Sequence, residues 1–456
     1  MRMRTADVVI CGAGIAGISV AYQLAITQQI RNIMLVDPLP PMTMTSDKST
    51  ECYRNWWPGP DDAMVRLMNR SIDLLEQLHQ EAPDRLHMNR RGYLYATADH
   101  KSVDGLIADA REISELGAGP LRIHRGPAGD QAYTRFRDHA IFDAPEGADI
   151  LLGGDLIQRH FPFLTERTVA VLHTRRCGWF AAQQFGMYML EKGRELGVQL
   201  VNGRVSDVVV NGNQVEAVRI DGREGTQMVS TPLFVNAAGP FQATVGQLMD
   251  IDIPVFNERH VKMVFSDHQR VIPRDMPLLI WMDPVYLSWS DEEKALLAES
   301  DETCALLAEM PAGLHGRAEG DSCLLNWGYH AQPVEPVFPI PMDQQFPEIT
   351  LRGMATVIPG LAGYLDRIPR AFLDGGYYTR TRENRPLIGP LPVDGAFLLG
   401  GLGGFGLQVS CGASELLANH ITGNQLPDYA SAFLLSRYQD PAYRKLLDNW
   451  GASGQL

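Results

Sequence analysis

The sequence predicts an α/β protein with a second, α+β domain inserted into it, and three stretches carry that expectation. First, a short apolar run, Ala6 to Cys11, meets Gly12-Ala13-Gly14-Ile15-Ala16-Gly17 and continues into an apolar helical segment, Ile18 to Leu24. Second, short β-rich runs between 198 and 220 are separated by Asn-Gly turns. Third, Gly400, Gly401, Gly403, Gly404 and Gly406 precede a helical pattern over Leu407 to His420. Strand, glycine turn and helix in that order open a Rossmann-like nucleotide-binding unit. The hairpins and the strands beyond residue 245 suit an antiparallel sheet domain set into it.

The length of 456 residues allows two or three domains with a ligand enclosed between them. A formal charge of −14 excludes a general nucleic-acid surface. The six cysteines form no CxxC, so neither a zinc knuckle nor a disulfide framework is expected. Their scatter fits a reducing cytosol, and a cytoplasmic location is expected, with peripheral membrane association left open. No apolar run is long enough for a spanning helix. Glycines interrupt the apolar start, which argues against a signal peptide.

Each feature of the first forty residues has a separate physical task. Gly12 permits a tight turn, Gly14 lets backbone approach a pyrophosphate, and Gly17 lets the helix pack close to the strand. The helix N-terminus offers unpaired N–H groups to phosphate. A second strand, Asn32 to Val36, ends in Asp37, whose carboxylate suits the ribose hydroxyls of an adenosine. Such a site takes FAD or NAD, and the acidic residue disfavours NADP.

Pro41 to Pro60 is a polar, turn-rich segment, and a helix is expected over about Asp61 to His79. The Arg90 to Tyr95 stretch enters a strand, helical segments occupy about 101 to 116, and a helix spans Ala181 to Leu196. Strands are expected at 198–201, 205–210, 215–220, 233–236, 260–265, 278–289, 322–330 and 396–399. The acidic stretch Asp291 to Gly320 reads as two short helices or one bent helix, either a surface excursion or a lid or subunit contact. The expected partition assigns 1–90, 145–245 and 375–456 to the nucleotide domain. It assigns 91–144 and 246–374 to the second domain, with the excursion at 291–320.

These motifs in this order resemble the FAD-dependent amine and amino-acid oxidoreductases, a family that includes D-amino acid oxidase, glycine oxidase, sarcosine oxidase and dimethylglycine dehydrogenase. The resemblance runs from Gly12-x-Gly14-x-x-Gly17 and Asp37, through Asn236-Ala237-Ala238-Gly239-Pro240 and Arg385-Pro386-Leu387-Ile388-Gly389, to Gly401-x-Gly403-Gly404-Phe405-Gly406. It implies an FAD site at Gly12, Gly14, Ile15, Ala16, Gly17, Asp37, Ser46, Ser49, Thr50, Val205, Ala238, Gly239, Gly403, Gly404, Phe405 and Gly406. The second domain would form a roof over the flavin, with substrate between the two. Phe405 stands where the family commonly has a histidine. The Cys323 to His330 strand is similar to one in the sarcosine oxidases, whose lysine falls on Asn326, and that favours a dehydrogenase over an oxidase. No cysteine occurs in 376–379 and no histidine in 41–60, so noncovalent FAD is expected.

The chemistry this implies is oxidation of a small amine or amino acid, with secondary or N-methylated amines favoured. An arginine is the natural partner of a substrate carboxylate, and Arg54, Arg380 and Arg382 are the candidates. Tyr286, His260, Tyr329 and His330 are candidates for positioning or deprotonating an amine. Electrons would pass to an acceptor protein or quinone, and a homo-oligomer stays open. Two alternatives also stay open: oxidation of a 2-hydroxy acid or glycerol phosphate, and a non-catalytic flavoprotein interaction module.

Overall fold

The computed structural model describes residues 4–126, 132–135, 142, 144–448 and 450. Val8–Cys11 is buried along its whole length, as a strand between two helical layers must be. It lies at the centre of a six-stranded sheet with the order 198–202, 33–37, 8–11, 234–236, 396–400, 387–390. All neighbours run parallel except Leu387–Pro390, an antiparallel edge strand. The helices Ile15–Ile26, Ala63–Glu81, Ala182–Glu195 and Gly406–Thr422 pack beside this sheet and share one apolar core with it.

The expected hairpins form a separate four-stranded sheet of Arg204–Asn211, Gln214–Gly222, Gly225–Ser230 and Arg4–Thr5. Val198–Asn202 does not join it. That strand instead pairs in parallel with Ile33–Asp37, extending the nucleotide sheet by one edge.

The roof is a mixed nine-stranded sheet in the order 372–380, 256–266, 322–326, 314–319, 278–281, 93–97, 170–174, 148–152, 121–124. Thus 148–152 and 170–174, expected in the nucleotide domain, are roof strands, because 170–174 pairs antiparallel with 93–97 on one side and with 148–152 on the other. Asp149 helps hold this end: it accepts from Arg122 Nε at 2.6 Å and faces His124 Nε2 at 2.8 Å. Of the expected 91–144 piece, residues 127–131, 136–141 and 143 lie outside the described set.

Two strands end earlier than expected, Leu278–Trp281 and Ser322–Asn326. The acidic stretch also divides. Short helices occupy Asp291–Leu297 and Asp301–Cys304, but Leu314–Glu319 is an internal roof strand. Its alternation was hidden because only one face is apolar: Leu314 and Ala318 enter the core, while the alternate residues His315, Arg317 and Glu319 bear polar or charged groups.

Candidate active site

A long cleft runs over the carboxyl ends of the parallel strands. Gly12 to Ala16, Asp37, Met42 to Ser46, Ala237 to Pro240 and Gly400 to Gly404 supply most of its lining. Gly12 has φ +109°, and a Cβ there would sit 2.4 Å from the Ala237 carbonyl oxygen. The turn therefore requires glycine twice over, for its dihedral angle and for the close approach of the next strand. At Gly14 a Cβ would approach only Ser46 Oγ, at 3.1 Å, and the backbone here borders the open cleft. Asp37 accepts from the Ala13 and Leu39 backbone N–H groups at 2.7 and 2.8 Å. Burial pushes its carboxyl above the usual range while those two bonds pull it back. The Ile15 N–H donates to Ser46 Oγ at 2.9 Å, which ties the polar loop to the helix start. Asp37 is the one acidic side chain among the described residues that line the cleft.

A second cavity opens from the cleft, since Ser49, Tyr378, Gly404 and Leu407 line both. Its floor includes Cys52, Arg54, Trp57, Phe405 and Gln408, and its roof includes Tyr93, His260, Leu278, Ile280 and His315. No carboxylate is among these lining residues. Arg54 is buried, lies 4.4 Å over the Trp57 ring and donates from Nη1 to Tyr95 Oη at 2.6 Å. His260 stacks on Tyr378 at 3.9 Å, and its Nε2 is 3.7 Å from Glu258. Burial, together with His260 and Arg54 nearby, holds His315 down to about 4 against the opposing bond to Gly313. Two further cations tie the roof to the floor. Lys262 Nζ donates to the Ser49 carbonyl at 2.6 Å, and Arg317 Nη2 donates to that of Thr50 at 3.0 Å.

Residues 7–420 match the family described as FAD dependent oxidoreductase. The chain belongs to that family. It is 23% identical over 377 residues to a D-amino acid dehydrogenase from Vibrio vulnificus (strain YJ016), a match covering 80% of this chain and 72% of the relative. Its fold is similar to that of an L-proline dehydrogenase from P. horikoshii (TM-score 0.72, 15% identity, 96% of this chain and 98% of that one). It is also similar to that of a glycine oxidase from Geobacillus kaustophilus (TM-score 0.71, 15% identity, 95% and 99%). This FAD dependent oxidoreductase thus has the architecture expected from its motifs, a Rossmann-like unit with an inserted sheet domain.

It binds FAD, and the cleft described above fits that cofactor. Noncovalent binding agrees with the missing cysteine in 376–379 and missing histidine in 41–60. Cys52 does border the second cavity, but burial pushes its thiol up, which disfavours the thiolate a covalent bond needs.

Of the expected cofactor residues, Gly12, Gly14, Ile15, Ala16, Asp37, Ser46, Ser49, Ala238, Gly239, Gly403, Gly404 and Gly406 line the cleft. Gly17 supports it from behind, where a Cβ would strike the Gly12 carbonyl oxygen. Thr50 and Phe405 line the second cavity instead, with Phe405 edge-on to Trp57 at 4.8 Å. Val205 lines neither; it packs in the apolar cluster with Met34 and Val36.

Of the substrate candidates, Arg54 and His260 reach the second cavity. The structure places the others outside its lining. Tyr286 follows the end of the 278–281 strand and is 63% exposed. His330 is exposed and lies 3.1 Å from Asp343, and the Tyr329 hydroxyl also faces Asp343, at 3.5 Å, because the chain leaves the sheet after Asn326. Arg380 pairs with Glu258 at 3.4 Å, outside the lining, and Arg382 is exposed. Asn326 is buried opposite Lys262 and His315, and its Oδ1 has no hydrogen-bond partner among the described residues. His315 and Tyr93, absent from the sequence-derived candidates, also line the cavity. The signal for His315 was the period-two pattern of Leu314, Gly316 and Ala318 around it.

Proposed function

We propose that this protein oxidises a small amine or amino acid, with secondary or N-methylated amines favoured. One observation carries the reading: a cavity continuous with the FAD cleft holds a buried guanidinium, two imidazoles and aromatic walls, with no carboxylate among its lining residues. Arg54 would pair with a substrate carboxylate through two parallel N–H donors. Trp57, Phe405, Leu278 and Ile280 would keep water from the α carbon, and Tyr378 with His260 would limit how the substrate tilts. FAD supplies a two-electron acceptor at N5 for the hydride that leaves the α carbon. The nitrogen lone pair stabilises the forming iminium, and water then hydrolyses that product. The D-amino acid dehydrogenase relatives support the same substrate class.

Asn326 and its neighbour Lys262, whose ammonium is committed to the Ser49 carbonyl, favour a dehydrogenase that passes electrons to a quinone or protein acceptor. The second reading, oxidation of a 2-hydroxy acid, has one observation in its favour. His260, beside Glu258, would act as the base for a hydroxyl proton.

The test is anaerobic incubation of the holoenzyme with N-methylated amino acids, D- and L-amino acids, and 2-hydroxy acids, followed by flavin bleaching and reduction of a redox dye. Bleaching by an amine class is expected. Bleaching by hydroxy acids alone would favour the second reading, and a flavin that no class bleaches would favour a non-catalytic module.

A further inference from the structure

The two ring nitrogens of His315 are in different situations. The residue stands on an internal roof strand, between Ile280 on one neighbour and Asn326 on the other. Its Nδ1 is 2.8 Å from the Gly313 carbonyl oxygen. A carbonyl has no proton to give, so Nδ1 carries one and donates it. A neutral imidazole has a single N–H, and Nε2 is therefore left as a lone-pair acceptor. This side chain lines the cavity, and Nε2 has no hydrogen-bond partner among the described residues. Burial keeps the ring neutral, with a pKa of about 4.

The charged and titratable groups around it leave the acceptor unopposed. Arg54 and Cys52 face the cavity from the floor, Tyr93, His260 and Tyr378 from other roof strands, and Arg317 lies two residues along the same strand. None of these is a carboxylate. A bound ammonium would meet desolvation and the Arg54 charge, offset by its own carboxylate and by Glu258, which lies outside the lining, 3.7 Å from His260 Nε2, and is paired with Arg380.

We propose that His315 Nε2 accepts an N–H of the substrate's free amine while Arg54 holds its carboxylate, so that the cavity selects amino acids whose nitrogen still carries a hydrogen. The inference rests on the amine-oxidation reading and names the nitrogen-binding group of that site. The substrate ammonium gives one proton to water as it binds; His315 takes none, being too weak a base. A free secondary amine then has one N–H, which His315 accepts, and one lone pair, which remains for iminium formation. An N,N-dialkylated amine has no N–H to offer and gains nothing from His315.

The experiment compares sarcosine with N,N-dimethylglycine in native holoenzyme and in His315→Leu and His315→Gln. In H315L, kcat/KM for sarcosine is expected to fall about tenfold or more, the effect of one lost hydrogen bond, while that for N,N-dimethylglycine changes less than about twofold. H315Q, which can bring an amide oxygen near the Nε2 position, should recover much of the loss. Unchanged turnover of sarcosine in H315L, or equal losses on both substrates, would overturn the proposal.

A second readout does not depend on turnover. In holoenzyme with ¹⁵N-labelled histidines, the ring signal missing from H315Q should report protonated Nδ1 and bare Nε2 across about pH 6 to 8. Its Nε2 resonance should move with sarcosine and not with acetate. The opposite tautomer, a charged ring, or equal movement with acetate would refute the role of His315. If no amine bleaches the native flavin, the functional reading fails by itself, and this spectrum still decides the state of His315.

Discussion

The cleft and the cavity it opens into are built from different parts of the chain's chemistry. The cleft is mainly a backbone structure: glycine turns, a helix start and the small residues Ala237 to Gly239 bring main-chain groups to its surface. The cavity is a side-chain structure, with Arg54, Trp57, His260, His315, Tyr378 and Phe405 carried in by segments far apart in sequence. Backbone sites tolerate few residue types and announce themselves as motifs. Side-chain sites depend on which strand lies beside which, and the same residue types occur elsewhere as core or surface. Damage to the cleft should therefore remove the cofactor, while damage to the cavity should leave the cofactor and alter the reaction.

The largest expected effect concerns the cleft as a whole. Acid precipitation should release the flavin entirely into the supernatant as FAD. Yellow colour retained in the washed pellet would mean a covalent bond, with Cys52 the first thiol to examine by peptide mapping.

Gly14→Val should lower FAD occupancy by an order of magnitude or more in folded protein, because a branched side chain would stand where backbone borders the pyrophosphate site. The flavin-to-protein absorbance ratio measures this, with circular dichroism as the check on folding. Near-normal flavin content would erase the contrast between the two regions.

Arg54→Met should keep FAD yet reduce kcat/KM for a carboxylate-bearing substrate roughly 100-fold, since charge-assisted hydrogen bonds contribute about 1.5 to 3 kcal/mol each. Steady-state dye reduction reads the loss. An amine without a carboxylate should be affected far less. Equal loss on both would mean that Arg54 acts by holding Tyr95 and Trp57 in place.

The smallest and most local effect is expected at Asn326. An ammonium stabilises developing superoxide better than an amide dipole does, so Asn326→Lys should speed reoxidation of reduced enzyme in air about tenfold, equivalent to about 1.4 kcal/mol. Stopped-flow absorbance gives both rates. Fast native reoxidation, matching substrate turnover, would end the dehydrogenase reading. No gain in N326K would mean that oxygen reacts elsewhere.

By itself the sequence determined the nucleotide sheet's opening unit, the acidic end of its second strand at Asp37, the late glycine loop and the presence of an inserted sheet domain. These depend on local rules: which residues can turn at φ +109°, which runs can be buried on both faces, and which short segments can reach a phosphate. Tertiary structure decided the rest. Only strand pairing drew 148–152 and 170–174 into the roof and set Val198–Asn202 on the nucleotide sheet. Only the true ends of strands turned Tyr286 and His330 out to solvent. His315 shows the reason most plainly. In the chain it lies at the end of an acidic stretch and reads as surface, but pairing on both sides places it inside the sheet. One tightly held ring nitrogen then leaves the other free, and neither the pairing nor that hydrogen bond is a property of neighbouring residues alone.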